Sequence, residues 1–188
     1  MVENMKSICV IDEKYVSKNR TFYKIENLAK YLSKINCNIY NNKEKKIYHC
    51  EKDKFLDVEH NTLFEYKVNS YLTSTDLNIF IPKSNNNNVT FKSKAGLNID
   101  INFFNKATNE NTILKVKNHF LKSNIEIYDE NKSLIICSVK KDDMLGQNYT
   151  IEITEGIDTI FMLIVVIVLI NVIKSKKAGV GSASSILV

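Results

Sequence analysis

Near its C-terminus the chain reads TIFMLIVVIVLINVI over residues 159–173, and this run decides how the rest of the sequence is interpreted. Asp158 precedes the run and Lys174 follows it. An acidic residue suits the positive N-terminal end of a helix, and a basic residue suits its negative C-terminal end. The run is longer than a typical strand and is apolar all round. We therefore predict a helix over about 157–174 that is buried on every side.

Two environments could bury such a helix, the interior of the protein or a lipid bilayer. A membrane-spanning helix needs roughly 20 apolar residues. The run has 15 residues and includes Asn171, so its length favours the protein interior. A short apolar helix followed by a basic tail is also typical of a tail anchor. A membrane anchor through 159–173 therefore stays open as the alternative.

Short segments in which polar and apolar residues alternate fill the chain from Thr21 to Thr154. Alternation of this kind predicts strands with one face in the core and the other in water. Polar turns rich in Asn, Asp, Glu and Lys separate the segments. The predicted strands cover 21–25, 38–40, 47–50, 55–58, 62–68, 77–81, 89–93, 97–103, 112–117, 125–128, 134–139 and 147–154. About a dozen strands at this spacing predict a β-barrel or a β-sandwich.

Composition limits the class of protein. A chain of 188 residues with 44% hydrophobic residues has the size and core content of one globular domain. The net charge is +5, but Arg20 is the one arginine, and nucleic-acid recognition favours the planar arginine side chain. We therefore expect no nucleic-acid partner. Met1 to Lys14 lacks the apolar segment of a secretory signal, so we expect a cytoplasmic protein. We also expect it to be a monomer.

No catalytic motif is recognisable in the sequence. The histidines His49, His60 and His119 do not fall at metal-ligand spacings, so we predict exposed or hydrogen-bonded histidines. The four cysteines form no C-x-x-C pair and are predicted to be buried or unreactive thiols. Phosphate-binding and nucleotide-binding glycine motifs are absent as well. These features predict a protein that is not an enzyme and has no cofactor or metal.

Two stretches resemble a known family. The sequence NYTIEITEGID at 148–158, followed by the apolar run, is similar to the closing motif of the LURP-one-related proteins. The opening VIDEKYV at 10–16, the strand with Phe22 and Tyr23, and the hairpin from Cys37 to Cys50 resemble the start of that family. The family belongs to the tubby C-terminal-like group, together with the phospholipid scramblases.

This resemblance implies a closed 12-stranded antiparallel β-barrel around a central apolar C-terminal helix. It implies an N-terminal arm at 1–7, a barrel domain at 8–174 with its core helix at about 157–174, and a flexible tail at 175–188. Two features depart from the wider group: the chain has no Trp, and the acidic calcium motif of scramblases is not recognisable around 174–178. The missing calcium motif argues against a calcium-activated scramblase and favours the LURP-one-related branch. The family resemblance therefore implies a non-enzymatic barrel protein, with a phospholipid or membrane-surface adaptor as its expected role. A phospholipid-scramblase-like protein and a tail-anchored protein with a cytosolic β domain are the alternatives.

Two lysine pairs are the candidate binding residues. Lys92 and Lys94 are two positions apart on one predicted strand, and Lys115 and Lys117 are two apart on another. A spacing of two places each pair on one face of its sheet. Near an anionic membrane surface each lysine contributes roughly 1 kcal/mol to binding. These four residues are the predicted site for a lipid headgroup. The competing interpretation is that they are outward lysines that only keep the barrel soluble.

Overall fold

A computed structural model describes residues 7–28, 35–71, 73–81, 87–93, 98–119, 124–131, 133–143 and 147–183, with the backbone alone for His119 and 176–183. The strands are β1 (Thr21–Glu26), β2 (Cys37–Asn41), β3 (Lys46–Glu51), β4 (Lys54–Asp57), β5 (Thr62–Ser70), β6 (Ser74–Phe80), β7 (Asn87–Ser93), β8 (Ile99–Asn105), β9 (Glu110–His119), β10 (Asn124–Tyr128), β11 (Ile135–Lys141) and β12 (Tyr149–Ile153). Each strand pairs antiparallel with its neighbours in sequence, and β12 pairs with β1 to close the barrel. The predicted closed 12-stranded barrel is confirmed.

Alternating side chains explain why these segments become strands of a closed barrel. In β6 the side chains of Leu77 and Ile79 are fully buried, whereas Phe80 is 39% exposed. In a strand successive side chains point to opposite faces, so one face lines the barrel interior and the other faces outward. The alternation at 97–103 follows the same rule in β8, where Ile99, Ile101 and Phe103 are buried.

The helix α1 (Thr159–Ala183) fills the interior of the barrel. Every side chain from Ile160 to Leu169 is fully buried. The ring of Phe161 contacts Phe103 on the inner face of β8, with the ring centroids 4.8 Å apart. Residues 159–173 are therefore the core helix of the barrel, as predicted, and a membrane anchor is not the arrangement that the structure shows. Among the residues whose side chains are described, no helix is both long enough and apolar enough to cross a bilayer.

The helix is longer than the sequence predicts. It ends at Ala183 rather than near Lys174, so part of the segment expected to be a flexible tail is helical. No proline interrupts residues 174–183, and the glycines at 179 and 181 weaken a helix without ending it. Lys174 is partly buried and Ser175 is exposed, which marks the level at which α1 leaves the barrel.

The N-terminal segment closes the end of the barrel where α1 begins. Ile8 forms a parallel bridge with Ile157, and Val16 forms an antiparallel bridge with Asp158. Gly156 lies in the turn between β12 and α1 with φ 78°, a conformation that glycine adopts without steric cost. Its carbonyl oxygen accepts a hydrogen bond from the Ile8 N–H at 2.9 Å. Residues 8–16 are therefore part of the folded domain.

Candidate functional site

The structure places three of the four candidate lysines on the outer face of the barrel. Lys92 on β7 lies opposite Asp100 on β8, and Asp100 lies opposite Lys115 on β9. The Lys115 Nζ atom is 3.1 Å from Asp100 Oδ2, and both side chains are largely buried. The positive charge of Lys115 is thus balanced within the sheet. Lys94 lies outside the described residues.

Lys117 lies apart from this group. It is exposed on β9 and stands opposite Glu126 on β10. Opposite residues on antiparallel strands are close enough for their charges to interact. The structure therefore brings Lys92 and Lys115 together around Asp100, and it places Lys117 beside a second carboxylate. The candidate lysines with described side chains do not form a surface of one charge.

An open groove of about 810 Å³ lies at β7, β8 and β9, and most of the residues that line it are on the outer face of these strands. We call it the outer groove. Its walls combine amide side chains, two lysines, one glutamate and apolar groups: Asn87, Asn88, Thr90, Lys92, Asn102, Phe103, Phe104, Lys106, Asn111, Ile113 and Glu130. Lys92 is the predicted site residue that lines it. The Lys106 Nζ atom donates to the Ile11 carbonyl oxygen at 3.2 Å, so the N-terminal segment holds this second lysine in place.

The outer groove also has an apolar part. Phe104 near the end of β8 is 42% exposed, and Ile113 on β9 is partly buried. Sequence reasoning did not identify Lys106 or Phe104 as site residues. The signal that could have indicated the groove is the use of amides at outward positions, such as Asn88, Asn102 and Asn111. Amides leave a polar surface without filling it with long charged side chains.

Exposed apolar side chains concentrate at the end of the barrel where α1 begins, here called the helix-start end. Even-numbered strands finish there and odd-numbered strands start there, because β12 leads into α1 and neighbouring strands are antiparallel. In the described part of the chain, six of the seven exposed large apolar residues are at or next to these strand ends: Phe22, Val58, Phe80, Phe104, Leu134 and Ile135. We call these six residues the apolar rim. They lie on or next to β1, β4, β6, β8 and β11, so they are distributed around this end of the barrel.

A histidine pair lies on a different part of the outer face. His49 on β3 is buried, and its ring meets the ring of His60 with centroids 4.8 Å apart. Neither ring nitrogen of His49 has a hydrogen-bond partner among the described residues. The prediction of exposed or hydrogen-bonded histidines is therefore wrong for His49, because the turn after β4 places His60 against it. The side chain of His119 lies outside the described residues.

Burial changes the pKa of several groups. It lowers the pKa of His49 below the usual 6.5, and the nearby Lys46 and His60 lower it further. Burial raises the pKa of Asp158, although the four backbone N–H groups that donate hydrogen bonds to this carboxylate lower it. Within the described ranges, no three His, Cys, Asp or Glu side chains are grouped as metal ligands.

Comparisons with known proteins support the same architecture. A family model described as LURP-one-related matches residues 13–170. An X-ray structure of a protein from Arabidopsis thaliana superposes with a TM-score of 0.59 at 15% sequence identity, covering 87% of this chain and 98% of that chain. At this identity the similarity shows the fold alone. No curated protein sequence matches the chain significantly.

Proposed function

This chain belongs to the LURP-one-related family, and we propose that it is a non-enzymatic barrel protein that binds anionic phospholipid at a membrane surface. The outer groove is the proposed headgroup site. The apolar rim is the proposed membrane contact. A cytoplasmic, monomeric protein that associates peripherally with the membrane is part of the same proposal.

The composition of the outer groove is the main support. A phospholipid joins an anionic phosphate and a polar headgroup to apolar chains, so its binding site needs cations, hydrogen-bonding groups and apolar contacts together. Lys92 supplies the exposed cation, the asparagines supply donors and acceptors, and Phe104 supplies an apolar contact. Glu130 adds one negative charge to the groove, which favours headgroups with a cationic or hydroxyl group besides the phosphate.

The position of the groove supports contact with a membrane. The residues at 102–106, together with Asn87 and Asn111, lie near the helix-start end, where the apolar rim also lies. Apolar side chains that enter the interfacial region of a bilayer would bring this part of the groove to the level of the headgroups, and Lys92 lies farther along β7, near the other end of that strand.

Flotation of the full chain with vesicles tests the proposal. Vesicles of phosphatidylcholine with added phosphatidylserine should carry the protein upward, and pure phosphatidylcholine should not. Lys92→Gln should weaken binding about fivefold, corresponding to roughly 1 kcal/mol for one lysine near an anionic surface. Added salt should also weaken binding, because exposed charges are screened over about 8 Å at physiological ionic strength.

Two further variants define the site. Phe104→Ser should weaken flotation by removing the apolar contact. Lys67→Gln is the matched control, because Lys67 is an exposed lysine on β5 and not part of the groove. An equal loss of binding for Lys67→Gln and Lys92→Gln would show a general effect of charge. Equally strong flotation on neutral vesicles would contradict the role of the anionic headgroup.

A further inference from the structure

Two of the four cysteines face each other across neighbouring strands. Cys37 on β2 and Cys50 on β3 are directly opposite in the antiparallel register. Both are present as free thiols, and they are 5% and 3% exposed. Twelve residues separate the two cysteines and no C-x-x-C motif is present, so the sequence indicates only that they lie at the two ends of one hairpin, and the register makes them direct partners.

The register brings the two thiols to disulfide-forming distance. Directly opposite residues on antiparallel strands have Cα atoms about 4.5–5.5 Å apart, with both side chains on the same face. A disulfide requires Cα atoms about 4.4–6.8 Å apart and Cβ atoms about 3.5–4.5 Å apart. Closing the bond therefore needs the two Cβ atoms to approach by about 1 Å, which takes a small backbone shift at these two positions and leaves the pairing of the strands unchanged.

The two cysteines lie at one end of the barrel, where β2 begins and β3 finishes. Cys37 is the first residue of β2, and Cys50 is the last but one of β3. Both cysteines line an open hollow of about 380 Å³, together with Asn36, Asn38 and Glu51. The thiols themselves face the barrel interior, on the same side of their strands as Ile39 and Tyr48, so a reagent reaches them when this end of the barrel opens.

We propose that Cys37 and Cys50 are an oxidative modification site, at which a small-molecule disulfide such as oxidised glutathione converts the two thiols into an intramolecular disulfide. The Cys37 thiolate attacks one sulfur of the reagent, whose S–S bond breaks and releases one glutathione thiolate. The Cys50 thiolate then attacks the Cys37 sulfur of the mixed disulfide and releases the second glutathione thiolate. The two thiol protons pass to the two glutathiones, and two electrons pass from the protein to the reagent.

The environment of Cys50 determines the rate of this reaction. Burial raises the pKa of the Cys50 thiol well above the usual 9.0, and the adjacent Cys37 thiol raises it further. Only the thiolate is nucleophilic, so the dithiol reacts slowly at neutral pH and faster in alkaline solution. The product closes a loop over the β2–β3 hairpin and restricts the unfolded chain, so the oxidised protein should melt at a higher temperature.

The other two cysteines serve as internal controls. Cys137 on β11 lies opposite Ile127 on β10 and Ile153 on β12, so no cysteine faces it. Cys9 lies in the N-terminal segment, where its backbone N–H donates to Asn105 on β8. Both are buried, so burial by itself does not distinguish them from the pair.

Oxidation of the folded full chain tests the proposal. The protein is incubated overnight with oxidised glutathione at pH about 8.5, where a larger fraction of the thiols is ionised than at neutral pH, then denatured, and its free thiols are counted. The count should fall from four to two, and digestion should yield one linked pair of peptides, containing Cys37 and Cys50. Cys137→Ser should form the same link. Cys37→Ser should form no intramolecular link and at most a glutathione adduct.

Three outcomes would overturn the proposal. One is the survival of all four thiols after incubation, and another is a link that includes Cys9 or Cys137 in comparable amount. The third is formation of the Cys37–Cys50 link only after the protein has been unfolded by denaturant, because the native register would then play no part. The wild-type chain and Cys137→Ser decide these points even if Cys37→Ser does not fold.

Discussion

Asp158 joins the N-terminal segment to the first turn of α1. Its Oδ2 atom accepts hydrogen bonds from the backbone N–H groups of Val10, Ile11 and Asp12, at 3.2, 2.7 and 3.3 Å. Its Oδ1 atom accepts from the Phe161 N–H at 3.1 Å, as the side chain of a helix N-cap residue does. The carboxylate is fully buried, so water cannot replace these bonds.

Asp158→Ala should lower the free energy of unfolding by about 3 kcal/mol. The substitution removes a helix cap and leaves several buried N–H groups without an acceptor. Urea denaturation followed by far-UV circular dichroism measures the change. Asp12→Ala is the control, because Asp12 caps only a three-residue 3₁₀ helix at an exposed position. A loss as small as that of the control would show that the N-terminal segment is not fixed by Asp158.

His49 is the residue from which we predict a pH dependence. Its ring is buried and has no hydrogen-bond acceptor in the described part of the chain, so the neutral form is favoured in the folded state. The charged groups that act on it are Lys46, His60, Glu51 and Asp57. The two carboxylates act against the lowering of the His49 pKa, but burial is the larger effect.

The free energy of unfolding should decrease as the pH falls below about 6.5. The unfolded chain then binds a proton at His49, whereas the folded chain binds it only at lower pH. The stabilisation that comes from the neutral His49 ring is fully present above the pKa of His49 in the unfolded chain. It is lost as the pH falls through the pKa of His49 in the folded chain. Urea unfolding at pH about 7.5 and about 5.5 measures it. His49→Phe should reduce the dependence of the unfolding free energy on pH. An unchanged dependence in that variant would show that it comes from other groups.

At the scale of elements, α1 determines whether the barrel can exist. The strands line their inner face with apolar side chains, and the helix is the element that these side chains contact. A lumen of this kind is stable only when it is filled, because empty apolar cavities lose packing and transfer energy. The strands and the helix are therefore expected to fold as one cooperative unit.

Removal of the helix should unfold the whole domain. A chain that ends at Glu155 should lack the cooperative thermal transition and should aggregate, since the inner faces of the strands become exposed. The matched control ends at Ser175, which keeps the fully buried part of α1 and removes only the residues beyond Ser175. Circular dichroism melting and gel filtration compare the two. A folded, soluble chain ending at Glu155 would contradict the role of α1 as the core.

The elements themselves could be predicted well from the sequence. Each predicted strand overlaps an observed one, because alternation of apolar and polar residues follows directly from strand geometry. The C-terminal limit of α1 could not be predicted, since no capping residue or proline marks it. The two-residue turn at Lys52 and Asp53, with φ 49° and 63°, is another local detail that the residue types do not indicate.

At the scale of the whole molecule, the candidate site shows where prediction from the sequence stops. Alternation correctly placed Lys92 and Lys117 on the outer face. It could not show that Asp100 lies between Lys92 and Lys115, because that depends on the register of β8 with both of its neighbours. It also could not show the outer groove, whose walls come from several strands and from the turns that follow β8 and β10.

By itself the sequence determined the β class, the strands and the buried helix, because each depends on a pattern within one short segment. The tertiary structure alone decided which of two environments buries the helix, because lipid and a barrel interior both accept an apolar surface. It also decided which residues meet across strands, such as the Cys37–Cys50 pair and the contact of His60 with His49. Register is set by turns and by the packing of all strands together, and a one-residue shift would exchange the partners and the faces of every side chain in a strand.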